Sequence, residues 1–378
     1  MSKRILIYTM SSGDGHHMIS NMLKETFEKY HGDECEVRII DYYKDYFSPF
    51  RSLICDKFYR FTMGHAHWVY WIYYRLYQRD APPKRYPIGM WYAHFGKYRR
   101  ILKTVRDFRP DIIIGTHMFH PIALTELKKR GKLDVPFFSI VTDYTVYPLT
   151  EYGQGVQKII TPCEELKEGL MRLGYREDQI ACLGFPVRFE RPAERPNRGS
   201  GKLSVLIMAG HGRIKTIDRD LKNLLSADMD LRIVVVNGRD ERHRRKVARM
   251  ISRSTNSRTA IENHGYVHGE DYGNLLNGCD IVVTKCGANT LSEAIMMGKV
   301  LITSQDLVGQ ELENLQYFRE RIPIFLIDKK KSIADVLREN RFDDEFLDEY
   351  WSATEGMIPS GGYKRYVDLF YDAIGRNE

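Results

Sequence analysis

Short β-branched apolar runs alternate with longer segments of helical periodicity along most of the chain. Ile5–Thr9, Val37–Ile40, Asp111–Gly115, Phe137–Thr142 and Lys158–Thr161 read as strands. Between them, Met18–Tyr30, Lys97–Phe108 and Glu164–Leu173 repeat their apolar residues at helical spacing. A second series follows, with strands at Ser204–Met208, Arg232–Val236, Ile281–Thr284 and Val300–Thr303 and helices between them. Strands that are apolar throughout, alternating with helices, imply parallel sheets covered on both faces. The expected fold class is therefore α/β twice over, in two Rossmann-like domains.

A stretch rich in Pro, Arg and Gly, Arg191 to Gly201, breaks the periodicity. The expected division is a first domain over 1–188, a linker over 189–202, a second domain over 203–350, and a helical segment over 351–378 that packs back on the first. Two such domains leave a cleft between the carboxyl edges of their sheets, where ligands of α/β folds bind. That architecture serves transferases, epimerases, phosphorylases and binding proteins alike, so chemistry has to come from particular residues.

A length of 378 residues suits two domains, and 43% hydrophobic with 28% charged residues suits a folded chain. The net charge of +7 is mildly basic and fits an anionic surface or a phosphorylated ligand. Six cysteines without a Cys-x-x-Cys pair read as reduced cytosolic thiols and not as a zinc site. The N-terminus runs straight into a strand, and no apolar run reaches the length of a bilayer span, so membrane contact is expected to be peripheral, at the cytoplasmic face.

The first strand runs into Ser11-Ser12-Gly13-Asp14-Gly15-His16-His17 and then a helix. Gly13 and Gly15 allow close approach of a ligand to the backbone, and the helix start favours anions. The dinucleotide pattern Gly-x-Gly-x-x-Gly fails here, because no third glycine follows. His16 is then a candidate for proton transfer near neutrality, the alternative being a capping or packing histidine. His17 is the blander neighbour.

In the second half, Cys279 to Thr284 ends a strand, Lys285-Cys286-Gly287-Ala288 turns the chain, and a helix starts near Thr290. Unpaired N–H groups at that start can hold a diphosphate, and Glu293, about one turn in, can accept hydrogen bonds from a ribose diol. A plain helix cap with a first-turn acid would look similar. It leaves unexplained the second polar cluster, Gln310, Glu311 and Asn314, after the next strand at the same sheet edge. Amides and carboxylates there suit sugar hydroxyls.

These motifs resemble the monogalactosyldiacylglycerol synthases and the bacterial processive diacylglycerol glucosyltransferases, and more distantly the lipid II-forming N-acetylglucosaminyltransferase. The resemblance rests on Gly13-Asp14-Gly15-His16, Val141-Thr142-Asp143, Gly184 to Arg188, Leu206 to Gly210, Lys285 to Glu293, and Gly309-Gln310-Glu311 with Asn314. It implies the GT-B fold (glycosyltransferase family 28-like) and an inverting, metal-independent transfer of a hexose from UDP-glucose or UDP-galactose to a lipid such as diacylglycerol, with no cofactor. It makes His16 the base and Val267 the backbone contact to uracil; Asp143 is then expected to orient His16 or the acceptor. Gly287, Ala288, Asn289, Thr290 and Leu291 fall to the diphosphate, Glu293 to the ribose, and Gln310, Glu311 and Asn314 to the donor sugar. Gly210 and Gly212 would face the donor. The chain departs from the family where Tyr147 and Thr150 replace a His and a Trp, where Cys286 and Ala288 alter Lys-Pro-Gly-Gly, and where Val308 replaces a Pro.

Residues 58–77 are dense in aromatics, with Trp68, Trp71 and Tyr74 beside Arg75. Trp and Tyr favour the headgroup region and basic residues an anionic leaflet, so this segment is expected at the membrane and acceptor side, the alternative being an aromatic core. No nucleic acid is expected as a partner. Asp218-Arg219-Asp220 and Asp228-Met229-Asp230 are expected on the solvated surface, holding no metal. A UDP-sugar 2-epimerase or a non-catalytic UDP-sugar-binding regulator are the rival readings.

Overall fold

The computed structural model describes residues 2–10, 14–47, 98–147, 149–197, 201–209 and 216–375. Their contacts divide the chain into two units, one of residues 1–188 with 361–378 and one of residues 189–360.

The first unit is built on β1 (Lys3–Thr9), β2 (Cys35–Asp41), β3 (Ile112–Gly115), β4 (Phe137–Ile140), β5 (Lys158–Thr161) and β6 (Ile180–Cys182). These form one sheet in the order β2-β1-β3-β4-β5-β6, with every neighbouring pair parallel. Ile5, Leu6, Ile7, Ile112, Ile113 and Ile114 are fully buried. That is why the central strands read as unbroken apolar runs instead of alternating ones. Helices α1 (Asp14–His31), α2 (Tyr42–Tyr46), α3 (Tyr98–Phe108), α4 (Phe119–Lys129) and α5 (Glu165–Arg172) accompany the strands. Helix α1 was expected to begin near Met18. It starts at Asp14, so Gly15 and His16 belong to its first turn. It buries Ile19, Leu23 and Phe27 at four-residue spacing on one face.

The second unit contains β7 (Leu203–Met208), β8 (Leu231–Val236), β9 (Ala260–His264), β10 (Ile281–Val283), β11 (Val300–Ser304) and β12 (Ile324–Ile327). Its sheet runs β12-β11-β10-β7-β8-β9, again parallel throughout. Helices α6 (Ile217–Ser226), α7 (Glu241–Ser252), α8 (Gly269–Asn277), α9 (Ala288–Met296), α10 (Gln310–Arg319), α11 (Ile333–Glu339) and α12 (Asp344–Ala353) belong to this unit. Helix α13 (Gly362–Gly375) returns to the first unit. There Tyr366 donates to the carbonyl of Gly184 at 2.7 Å and Phe370 meets Phe138 edge-on at 5.2 Å. The stretch leading into the second unit is anchored as well. Arg191 donates to the Met296 carbonyl and lies 3.9 Å over the Trp351 ring, and Arg195 pairs with Asp344 and Asp348.

Strands β6, β9 and β12 were not foreseen, and each is a sheet edge. The Asp218-Arg219-Asp220 run also corrects the expectation of solvated surface. Asp220 is fully buried on the face of α6 that carries Leu221 and Leu224, with Arg219 at 2.7 Å neutralising it. Asp218 accepts from His243 at 2.8 Å and Lys246 at 2.7 Å. A buried carboxylate persists only when paired in this way.

Candidate functional site

Parallel sheets bind ligands where the strand order reverses, because neighbouring connections there leave in opposite directions and open a crevice at the carboxyl edge. In the first unit that point lies between β1 and β3, and in the second between β7 and β10. Of the described candidates, His16 lies at the first of these places and Gly287 to Glu293 at the second.

In the first unit, His16 Nδ1 lies 2.7 Å from the carbonyl oxygen of Thr116, one residue beyond β3. A carbonyl only accepts, so Nδ1 carries the proton and Nε2 of the neutral ring keeps a free lone pair. Thr116 is itself pinned. Its N–H donates to the Tyr8 carbonyl at 3.1 Å, and its hydroxyl lies 3.1 Å from that of Ser20. Ser20 donates in turn to the His16 carbonyl at 2.9 Å. The ring of His16 is only partly exposed, and desolvation lowers its pKa to about 4; the Thr116 contact opposes that shift and the neighbouring His17 adds to it.

His117 and His120 pack in a row behind His16, and sequence reasoning missed both. The His117 ring meets His16 edge-on at 4.7 Å, and its Nδ1 accepts from the Phe119 N–H at 3.3 Å, which puts its own proton on Nε2. Burial and the facing His16 hold its pKa well below the ordinary imidazole range. His120 lies deeper, stacked on Tyr8 at 5.5 Å, and desolvation depresses it to about 3. The readable signal was Thr116-His117 and His120 directly after an apolar strand. His17 turns elsewhere, to Asp41 at 2.6 Å, and fastens α1 to the end of β2. From the loop after β4, Thr142 brings its hydroxyl to 3.5 Å from His16 Nδ1, and Asp143 is the next residue, partly exposed.

Thr150, which the resemblance sets against a Trp, closes this loop. Its hydroxyl donates to the Tyr147 carbonyl at 2.6 Å, and its own carbonyl accepts from the Tyr175 hydroxyl at 2.8 Å. Leu149 before it takes a left-handed φ of 79°.

In the second unit, α9 begins at Ala288, two residues earlier than expected, with exposed Gly287 as its cap residue. Gly287 offers no side-chain acceptor, so the first-turn N–H groups remain available, and a Cβ added there would meet nothing within 4 Å. Asn289 and Thr290 lie in that turn, half-buried, and Leu291 and Glu293 are buried behind it. The Asn289 side-chain oxygen is buried without a hydrogen-bond partner. Helix α10 starts at Gln310 after Gly309, whose φ of 60° and ψ of −135° suit glycine alone.

The two turns are tied together. Lys285 Nζ lies 3.6 Å from Glu311, and Asn314, fully buried, donates its amide N–H to the Cys286 carbonyl at 3.0 Å. Burial raises the Glu311 pKa, and Lys285 opposes the shift. The structure thus brings Gly287 to Glu293 together with Gln310, Glu311 and Asn314. Val267, half-exposed after β9, lies on the same sheet edge three strands from β10. Gly13, Gly210 and Gly212 lie outside the described residues, as do Trp68, Trp71, Tyr74 and Arg75. Among the described residues no cluster of three or more His, Cys, Asp or Glu could hold a metal ion, and no helix is long and apolar enough to cross a membrane.

The family model described as monogalactosyldiacylglycerol (MGDG) synthase matches residues 16–187. A processive diacylglycerol β-glucosyltransferase of Bacillus cereus (strain G9842) is 28% identical over 94% of this chain and 85% of its own length. The enzyme of the same name from Bacillus subtilis (strain 168) is 25% identical over 92% and 89%. Among solved structures, Acinetobacter baumannii MurG superposes with a TM-score of 0.63 over 98% of this chain and 99% of its own, at 11% identity, a likeness of fold. By motif, by length-wise similarity and by fold, the chain is a GT-B glycosyltransferase homologous to the monogalactosyldiacylglycerol synthases and processive diacylglycerol glucosyltransferases.

Proposed function

We propose that the protein transfers a hexose from UDP-glucose or UDP-galactose to a lipid hydroxyl, diacylglycerol being the first candidate, with inversion at the sugar C1. The observation that carries the reading is that His16 lies at the switch point of the first sheet and the Gly287–Glu293 run at that of the second.

Nε2 of His16 takes the proton from the acceptor hydroxyl as its oxygen bonds to C1, while the bond from C1 to the β-phosphate oxygen breaks and UDP departs. Thr116 holds the ring in the required tautomer, and Asp143 orients the acceptor or the base. Negative charge growing on the diphosphate is met by the open N–H groups of the α9 start, Ala288 to Thr290, and by the positive end of the helix dipole, while the Leu291 N–H closes the first turn on the Gly287 carbonyl. Glu293 serves the ribose and the Val267 backbone the uracil. Gln310 and Glu311 meet the sugar hydroxyls, with Asn314 acting through the turn it pins. No metal enters the scheme. The relatives' shared name along nine-tenths of the chain favours transfer over epimerisation. The enzyme works at the cytoplasmic membrane face, where residues 58–77 meet lipid.

Labelled UDP-glucose and UDP-galactose offered separately over mixed lipids test this. A labelled glycolipid from one donor is expected. UDP-sugar conversion without acceptor, or donor binding with no product on any lipid, defeats the proposal.

A further inference from the structure

The outward face of α7 carries a charge pattern that the proposed reaction does not use. Arg242, Arg245 and Arg249 are exposed on this helix, and Arg253 directly follows its last turn. Spacings of three and four residues bring all four onto one side, while His243 and Val247 on the other are buried against the unit. Arg245 and Arg249 lean back along the helix, each donating Nε–H to the carbonyl four residues earlier. No carboxylate pairs with any of the four among the described residues. The nearby acids are engaged elsewhere, Glu241 with Arg244 and Asp218 with Lys246 and His243. On the adjoining helix α6, exposed Lys222 lies one turn beyond Asp218 and extends the basic area.

Four guanidinium groups at this spacing repel one another and have no carboxylate to neutralise them among the described residues, so the face suits an anion. It is a row along a convex helix and not a concave pocket, which suits a laterally continuous anionic surface more than one bound molecule. Helix α7 has no exposed aromatic for bases to stack on, a feature that single-strand nucleic-acid sites rely on. The relatives' diacylglycerol acceptor is itself a bilayer lipid.

We propose that the outer face of α7, through Arg242, Arg245, Arg249 and Arg253, docks the second unit on anionic phospholipid. This rests on the lipid-acceptor reading for its sense but not for its test. Each arginine near an anionic leaflet is worth about fivefold in partitioning, and the attraction is screened by salt.

The experiment is flotation of the full chain with vesicles of phosphatidylcholine alone and of phosphatidylcholine with phosphatidylglycerol, across a salt series. The quadruple variant Arg242→Gln, Arg245→Gln, Arg249→Gln, Arg253→Gln is run beside the parent. All four positions are exposed, so the variant should melt with the parent; double variants of alternate arginines serve if it does not. Expected is a loss of more than about a hundredfold in partitioning to the anionic vesicles, with a shallower salt dependence and unaltered turnover of detergent-dispersed acceptor. Unchanged partitioning overturns the proposal. So does a variant that loses poly(U) binding while keeping its vesicle affinity, which would give the stripe to nucleic acid. A protein without transferase activity that still shows the arginine-dependent flotation would defeat the catalytic reading and leave this one standing.

Discussion

His16 Nδ1 lies 2.7 Å from the carbonyl oxygen of Thr116, and that contact leaves Nε2 as the one ring nitrogen able to accept a proton. The residues meet across a hundred positions of sequence because α1 follows β1 and Thr116 follows β3, the two strands flanking the switch point. His16→Gln removes the basic nitrogen while keeping an amide that can donate to Thr116. Turnover is expected to fall about 10²–10⁴-fold, the usual worth of a general base, with UDP binding by calorimetry unchanged. The pH profile is equally specific. The neutral ring persists down to about pH 4, so the acidic limb of kcat/KM belongs near that value and not near 6.5. A limb at ordinary imidazole pH, or full activity in the variant, removes His16 as the base.

Gly287 offers a way to separate the diphosphate site from stability. Its φ of −67° and ψ of 128° suit any residue, it is exposed, and a Cβ there would meet nothing within 4 Å. Gly287→Val should therefore cost about 1 kcal/mol or less in unfolding experiments, the scale of a cap change. Added side-chain bulk in front of the open N–H groups should still weaken UDP binding at least about tenfold, equivalent to 1.4 kcal/mol. Equal UDP affinity in the two proteins would move the diphosphate elsewhere.

The contrast between central and edge elements explains what the sequence revealed. Ile5–Ile7, Ile112–Ile114 and Ile281–Val283 are buried on both sides, and their apolar runs declare themselves. Ile180–Cys182 and Ala260–His264 pair along one edge only and keep partial exposure at nearly every position, and Ile324–Ile327 is half-exposed in its middle, so their patterns are weak. The Lys285–Glu293 run was legible because backbone turns and helix starts demand particular residues locally. The roles of Thr116, His117 and His120 were not, since they arise from a register between β1 and β3 that no local pattern encodes. Asp220 misled for a related reason: a carboxylate reads as surface until its neighbour Arg219 is seen to turn inward with it.

Thr150, at the position that the resemblance sets against a Trp, is packed, not vacant. It is buried, closes the turn on Tyr147, and takes the Tyr175 hydroxyl on its carbonyl. Restoring the family residue by Thr150→Trp should overpack the loop and cost about 1–3 kcal/mol, read as a lower melting temperature, without raising turnover on diacylglycerol. A stable, more active variant would show that the loop has room for an acceptor contact that Thr150 merely leaves out.

His120 should make the first unit sensitive to acid. It is 2% exposed, neither ring nitrogen has a hydrogen-bond partner, and burial depresses its pKa to about 3, with the Thr9 and His117 carbonyls close enough to offset this only in part. The folded ring stays neutral where the unfolded one, with a pKa near 6.5, takes up a proton. The unfolded state then binds more protons, so stability rises with pH between those values. On acidification the loss begins near pH 6.5 and ends near pH 3, at a slope of about 1.4 kcal/mol per pH unit for this one group. His120→Phe keeps the stack on Tyr8 and removes the titration. Its unfolding free energy, measured in denaturant from pH 7 to pH 4.5, is expected to decline less steeply than the parent's by about that slope. Parallel curves for the two proteins would mean that His120 finds a proton partner in the folded state and is not held neutral by its burial.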